Sequence, residues 1–574
     1  MFLGAELFGV VGVGVSGRAV LGRAVKGELR DVVTGSVLGV GHQAGEAMVP
    51  VLIGVVVDRA VARGSLGALF GWLAVLGAVY VGLSFSFRFG ARAGERAAEQ
   101  AAHRLRMDLV RRVLHPAGGA ENGRLPGALA TLATEDARRV GSVNTGLVFG
   151  TSALMGLAVA AVVLLRTSLP LGLVVLLGTP AVTALGHLLS KPLEQRSETE
   201  QERAADASGV AADLVAGLRV LKGLGAVPAA VERYRRTSRD SLAATLRATR
   251  AQALQNGLIL ALTGVFIAVI ALVGGRLAAE GTIGLGQLVS AVGLALFLLG
   301  PLETLSWVNA DLAQSRASAR RIAEALSAAA EITTEQVLLP TRPVRGGIRL
   351  RGVGHGSLRG LDLDIAPGEL LGVAVADPSD ATALLRCLAR RDDPATGTVE
   401  LDGVPLSGLD PAELRSIVLV AEHDADLFAG TLRGNVGAAA NPATDLAPIT
   451  AAAGADEVAA ALAQGYDTPV SERGHSLSGG QRQRVALARA LAADREVLVL
   501  HDPTTAVDAV TEAGIADGLR ALRRGRTTVL VTTSPALLAV ADRVVLVEHG
   551  RVADTGAHLE LIQRQSGYRA AVLA

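Results

Sequence analysis

The 574-residue chain contains a single cysteine, Cys387, which excludes an internal disulfide framework and any cysteine-rich metal site. A lone thiol of this kind reads as a small buried side chain. Charge is scarce as well. Only 19% of residues are charged, and 55 basic against 54 acidic side chains leave a net charge of +1. Nothing concentrates into the basic surface that nucleic-acid binding needs, so no nucleic-acid partner is expected. Lysine is rare among the basic residues, which are almost all arginine, a bias we assign to a GC-rich bacterial genome rather than to function.

Apolar residues take up the difference. They make up 50% of the chain, with a mean hydropathy of +0.41, the balance of a protein partly in a membrane. The length calls for two or more domains. The apolar run at 7–15 is too short to span a bilayer and has no basic segment before it. Residues 1–30 are therefore read as an amphipathic interfacial helix, with Arg18, Arg23 and Lys26 toward headgroups, rather than as a signal peptide. Six longer runs follow, at 32–57, 65–87, 143–165, 168–190, 255–275 and 284–310, each about the twenty or more residues that a spanning helix needs. Short hairpins alternate with two long connections, 88–142 and 191–254, which carry most of the arginines; the positive-inside rule makes both cytoplasmic. Few breakers interrupt them, so the spans are expected to continue as helices well beyond the bilayer. Inside the first run, His42 and Glu46 are one helical turn apart, with Gln43 beside them. A charge at mid-membrane costs about 2.5–3.5 kcal/mol even on the lenient insertion scale. His42, Gln43 and Glu46 are accordingly expected either to line a substrate cavity or to pair with a neighbouring helix.

The character of the chain changes over 329–345, where Thr333, Thr334, Pro340, Thr341 and Pro343 mark a linker. Beyond it, 346–574 alternates strand-like and helix-like stretches, with strands at 348–350, 361–365 and 370–376 and a helix from Thr382, the order of an α/β domain. Within this domain Leu477, Ser478, Gly479, Gly480 and Gln481 form a glycine turn that opens an apolar helix. A β-branched strand follows at 497–500, then His501, Asp502, Pro503 and finally Ala506, Val507, Asp508. Backbone N–H groups at such a helix start suit an anion.

This run resembles the signature motif, Walker B strand and D-loop of the ATP-binding cassette (ABC) transporter family. The six runs with two long helical excursions resemble the transmembrane domain of its type IV exporters. The resemblance implies a multidomain fold: an all-α six-helix transmembrane domain over 31–328, then an α/β P-loop-type nucleotide-binding domain over 346–574. It also implies coupling helices at the excursion tips, near 125–134 and 213–218, and a dimer in which each signature closes on nucleotide held by the other subunit. Ser478, Gly479, Gly480, Gln481 and Asp508 are the residues it assigns to that role in trans.

The chain's own nucleotide site departs from the family pattern. The P-loop GxxxxGK[ST] wraps phosphates with glycine N–H groups and a lysine, and here it falls on 375–382. The segment Ser379, Asp380, Ala381, Thr382 has alanine at the lysine position, and only Thr382, the magnesium-contacting hydroxyl, matches. Pro378 lacks an N–H. Asp377 and Asp380 add negative charges, each worth on the order of 4 kcal/mol of repulsion at about 4 Å and an effective dielectric near 20. His501 and Asp502 stand where the family has a metal-associated aspartate and a catalytic glutamate, His423 replaces a glutamine, and Thr533 replaces the switch histidine. Histidine suits hard magnesium poorly. No aromatic occupies the adenine-stacking place near 355–357.

The reading is one half of a heterodimeric exporter in a bacterial inner membrane, with its nucleotide-binding domain cytoplasmic and no hydrolysis of its own. ATP and Mg2+ would be held mainly by a partner half-transporter with intact Walker A and B motifs. Cargo is open among small molecules, lipids and peptides. A non-hydrolytic scaffolding subunit, or an importer of siderophore-like cargo, remains the alternative.

Overall fold

The computed structural model describes residues 15–334, 337–340, 342–423 and 426–573, which fall into two compact units. Among the described residues, the first comprises 15–112 and 124–327; the second holds 113–123 and those from 328 onward.

The first unit is helical. The apolar run expected at 7–15 lies outside the described residues but for its last position. Helix α1 (Gly17–Lys26) starts on Ser16, whose hydroxyl accepts from the Ala19 N–H. Its Val20 and Ala24 pack with Ile322 and Ala323, while Arg18 and Lys26 are exposed. The long helices are α2 (Leu29–Val56) and α3 (Leu66–Val113), then α6 (Val143–Thr167), reached through short α4 (Pro126–Thr131) and α5 (Ala137–Gly141). They are followed by α7 (Leu169–Ala216), short α8 (Leu218–Gly223), α9 (Val227–Ala279) and α10 (Leu285–Leu326). At 48, 48 and 53 residues, α3, α7 and α9 far exceed the ~20 residues a bilayer requires, so the long connections are helical extensions as expected. The second excursion turns at Gly217, inside the expected 213–218, with α7 helical through Ala216 and α8 beginning at Leu218.

Four helices of the described residues are long and apolar enough to cross a membrane: Leu66–Val113, Gly127–Thr167, Val227–Ala279 and Leu285–Leu326. The other two runs of the expected six are helical too: α2 carries His42, Gln43 and Glu46, and α7 has an apolar stretch at Leu169–Leu185 among its described side chains. α2 and α10 cross at backbone contact: a Cβ on Gly54 would sit 2.2 Å from the Gly286 oxygen, and one on Gly286 2.1 Å from the Gly54 oxygen. Such an approach is the use of small residues where helices lack a hydrophobic drive to associate. Asp58 fixes the same corner by accepting the Gly286 N–H at 2.8 Å.

The second unit is the α/β domain. A six-stranded sheet has the order β12-β11-β3-β10-β9-β6, built from β3 (Leu370–Val375), β6 (Val418–Ala421), β9 (Val497–His501), β10 (Thr527–Val531), β11 (Arg543–Glu548) and β12 (Arg551–Gly556). All neighbours are parallel except β11 and β12. Near-continuous apolar strands such as VLVL at 497–500 are what a parallel sheet buried on both faces selects, and β9 and β10 are buried along most of their length. A smaller antiparallel sheet joins β1 (Ile348–His355), β2 (Leu358–Ile365), β4 (Thr396–Leu401) and β5 (Val404–Pro405). A two-strand ladder pairs β7 (Gly430–Thr431) with β8 (Pro469–Val470).

Helix α11 (Pro378–Leu388) follows β3; α12 (Pro411–Ile417), α13 (Leu432–Gly437), α14 (Ala447–Ala452) and α15 (Ala455–Ala460) lie between β5 and α16 (Gly479–Ala492). α17 (Ala509–Leu522), α18 (Pro535–Ala539), α19 (His558–Arg564) and α20 (Ser566–Leu573) complete the unit. The linker is fastened to this domain. Arg390, 1% exposed, donates to the Thr333 oxygen at 3.2 Å and to the Ser407 oxygen at 2.7 Å, and also reaches the Leu409 carbonyl.

Candidate functional site

The two helix starts picked out in the sequence, at 478–481 and 377–382, have opposite fates. At α16, Ser478 is the N-cap: its hydroxyl accepts from the Gln481 N–H at 3.3 Å, and the Gln481 side chain accepts from the Ser478 N–H at 2.9 Å. This reciprocal box satisfies two donors and leaves the hydroxyl proton of Ser478 for another acceptor. The N–H groups of Gly479 and Gly480 belong to the first turn, which has no intrahelical acceptors, and they lie at the exposed end of the helix. Gly480 is required by packing, since a Cβ there would fall 2.5 Å from the Ala506 oxygen. Gln483, which the motif reading passed over, locks the signature helix to the D-loop. Its amide donates to Thr505 Oγ1 at 2.6 Å and accepts from the Ala506 N–H at 2.8 Å. The signal was its position two residues past Gln481, on the face that meets the turn after β9.

Asp508 sits at the N-cap of α17 and accepts from the Val510 and Thr511 N–H groups at 3.2 and 3.0 Å. The bonds from Thr511 hold its carboxyl below the usual range. In this chain the carboxylate is thus engaged by its own helix.

At α11 the anion position is filled from within. Residues 378–382, expected as a phosphate-wrapping loop, are already the first turn of the helix. Asp377 is its N-cap and accepts the Ser379 N–H at 2.8 Å through its side chain, while its carbonyl takes the Asp380 and Ala381 N–H groups at 2.9 and 3.4 Å. The hydrogen bonds from Ser379 lower its carboxyl pKa. Asp380, 2% exposed, accepts the Gly550 N–H at 2.8 Å. Ala381 packs into the core beside Leu384 and Leu385, and the Thr382 hydroxyl donates back to the Pro378 carbonyl at 3.0 Å. Every group that would face a polyphosphate is either acidic, apolar or already bonded. ATP and Mg2+ do not fit this face.

Of the remaining replaced positions, His423, His501 and Asp502 meet at the end of β9. His423 and His501 meet edge to face, ring centroids 5.2 Å apart. His501 Nε2 lies 3.7 Å from Asp502, and burial pushes its imidazole below the usual histidine range, Asp502 acting against this and His423 with it. Asp502 adopts φ +43°, a left-handed backbone that aspartate tolerates better than most residues. No group of three histidine, cysteine or acidic side chains able to hold a metal occurs among the described residues. Thr533 is exposed past the end of β10. His355, at the adenine-stacking position, is committed to Asp392 at 3.1 Å. Cys387 is buried, and that burial pushes its thiol up to about 11.

In the helical unit a cavity of about 570 Å3 is lined by His42 and Glu46 of α2, with Tyr80, Phe87 and Arg88 of α3 and Phe297 of α10 among its walls. Gln43 does not reach it. Its Oε1 is buried without a hydrogen-bond partner and stands 2.8 Å from where a Cβ on Gly156 would lie. Arg88, read from the sequence only as a cytoplasmic-side charge, and the aromatic walls come from helices whose contact with α2 no local motif reveals.

Comparison with known proteins agrees with this architecture. The family profile "ABC transporter transmembrane region" matches residues 32–302, and the profile "ABC transporter" matches 358–505. A multidrug efflux ATP-binding/permease protein of Mycobacterium tuberculosis is 32% identical over 476 residues, covering 81% of this chain and 40% of that protein. The chain therefore spans well under half of that longer relative. An ATP-dependent lipid A-core flippase of Thiobacillus denitrificans is 30% identical over 460 residues, 78% of each chain. The solved structure of a bacterial Atm1-family ABC exporter with ATP bound superposes with a TM-score of 0.72 at 22% identity, over 96% of this chain and 98% of that one. With its apolar spanning helices, its parallel α/β domain and its intact signature turn, the chain belongs to the ABC transporter family as an integral membrane protein, a helical transmembrane domain followed by a nucleotide-binding domain.

Proposed function

We propose that this chain is one half of a heterodimeric ABC exporter whose single hydrolytic site lies on the partner half-transporter and is completed by the signature of this chain. The observation that carries the reading is the contrast between two helix starts. α16 presents an open first turn and an uncommitted serine hydroxyl, whereas α11 has its anion position taken by Asp377 and its lysine position by Ala381. Ser478, Gly479 and Gly480 would donate to a γ-phosphate held by the partner's intact Walker motifs. Their helix dipole favours negative charge there, and preorganised donors stabilise charge that develops during transfer.

The arginine-rich excursions favour a cytoplasmic nucleotide-binding domain in a bacterial inner membrane. Relatives described as a multidrug efflux protein and a lipid A-core flippase favour an amphiphilic cargo moved outward. The cavity of His42 and Glu46 is assigned to that cargo.

The test pairs ATPase and nucleotide-binding assays on the assembled heterodimer. Ser478→Arg or Gly479→Asp should remove most turnover, since losing such donors typically costs about 2.7–4 kcal/mol, roughly a hundredfold to a thousandfold, while ATP binding persists. Substitutions at Thr382 or His501 should do far less. Normal hydrolysis by the signature variants together with failure of the others would reverse the assignment of faces.

A further inference from the structure

The helix that leads out of the first excursion into α6 is interrupted once. α4 and α5 are joined by a single π-turn, Leu132–Asp136, in which the Ala137 N–H donates to the Leu132 carbonyl five residues back. Such a turn takes up one residue more than an α-turn, and it recurs at functional sites. Two acids, Glu135 and Asp136, lie in it, and two bases, Arg138 and Arg139, follow it.

The two acids are engaged differently. Asp136 is 3% exposed and faces α10. It accepts from Ser318 Oγ at 2.8 Å and from Arg321 Nε at 3.0 Å, and a second N–H of Arg321 reaches its other oxygen. Glu135 turns back onto its own helix, where Arg138 donates to it at 2.9 and 3.1 Å and Arg139 at 2.8 Å. Contact with α10 continues past the π-turn. The Arg139 carbonyl accepts from Ser315 Oγ at 2.6 Å, and Ser142 Oγ stands 2.9 Å from Asp311.

We propose that the π-turn is a joint with two registers, and that the adjacent acids exist to serve Arg321 in each. Moving the extra residue from 132–136 into the turn that follows displaces every residue up to 136 by one place against α10, a rotation of about 100° and a shift of about 1.5 Å. Glu135 then arrives where Asp136 stood, so the Arg321 fork finds a carboxylate before and after the move. Thr131 takes the place of Leu132. Leu132 is 7% exposed in a cluster with Val140 and Ile322, and the apolar burial it would give up makes the second register the minor one. The joint turns the excursion tip at 125–131, and its use in coupling rests on reading that tip as the docking element. Its existence rests on neither a partner nor nucleotide, so the joint and the assignment of Ser478 stand or fall separately.

The experiment is pulsed electron resonance on the full-length chain in lipid nanodiscs, with nitroxides on Thr131→Cys and Ala310→Cys, both exposed positions. The labelled chain is diluted with unlabelled chain, and wild-type protein carrying only the buried Cys387 and treated with the same reagent supplies the background. Two distances should appear, one of them minor. Because a hydrogen bond to a charged group is worth about tenfold in an equilibrium, Asp136→Asn should raise the minor-to-major ratio by about that factor, and Glu135→Gln should lower it by as much. A single distance in both the unsubstituted joint and Asp136→Asn, or a ratio that Glu135→Gln leaves unmoved, would overturn the proposal. Should Asp136→Asn fail to fold, Glu135→Gln, at a side chain 40% exposed, still decides.

Discussion

Asp377 gives α11 what a bound anion gives other helices, an acceptor for a first-turn N–H that has none of its own. Supplying the missing lysine cannot undo that. Ala381 is 5% exposed among core side chains, and overpacking such a position costs typically about 1–3 kcal/mol. Ala381→Lys is therefore expected to lower the melting temperature and to confer no Mg-ATP binding; a single-site variant that binds and turns over nucleotide would refute this. His501 offers a second residue-scale prediction. Its folded pKa is depressed, so its contribution to stability is complete above the ordinary histidine pKa of about 6.5 and is lost as pH falls below it. Thermal unfolding from pH 7.5 to 5 should show the decline, and His501→Asn should flatten it. Much of this was legible in residue identity alone: a glycine pair after serine, an alanine for lysine, a histidine for aspartate. The capping role of Asp377 was not, because it depends on an extended backbone at φ −110°, ψ 120° that places the carboxylate over the helix axis, and no residue name records that.

Periodicity and run length exposed the elements more fully than their ends. The buried parallel strands and the long excursions followed from apolar runs and a lack of breakers, but the start of α11 at Pro378 and the end of α7 at Ala216 depend on caps and tertiary contacts. The α2–α10 crossing depends on contact as well. Among the described helical glycines, Gly54 and Gly286 make the tightest mutual backbone approach, and their spacing in sequence gives no hint of it. Gly286→Val would push a side chain into the Gly54 carbonyl, so the helices must part. We expect a marked loss of folded protein in detergent, read by size-exclusion yield and melting temperature. Gly22→Ala, where a Cβ meets nothing within 4 Å, should be neutral or stabilising by up to about 1 kcal/mol.

At the level of the whole chain, composition marks a change of character near residue 328, while the compact units group 113–123 with the residues from 328 onward. No partner is written in one chain, and the proposed need for one rests on functional groups that do not add up to a site. Purified alone, the protein should show no magnesium-dependent ATPase above background, because positioning, metal and charge groups act as a unit; sustained turnover by the rigorously pure chain would sink the reading. The carboxylate at α11 carries a last consequence. A ligand built into the polypeptide has no bulk concentration and cannot be titrated. In the proposed pair only one site exchanges nucleotide, so turnover against ATP concentration should follow a plain hyperbola with a Hill coefficient of one, without the sigmoid that two communicating sites allow.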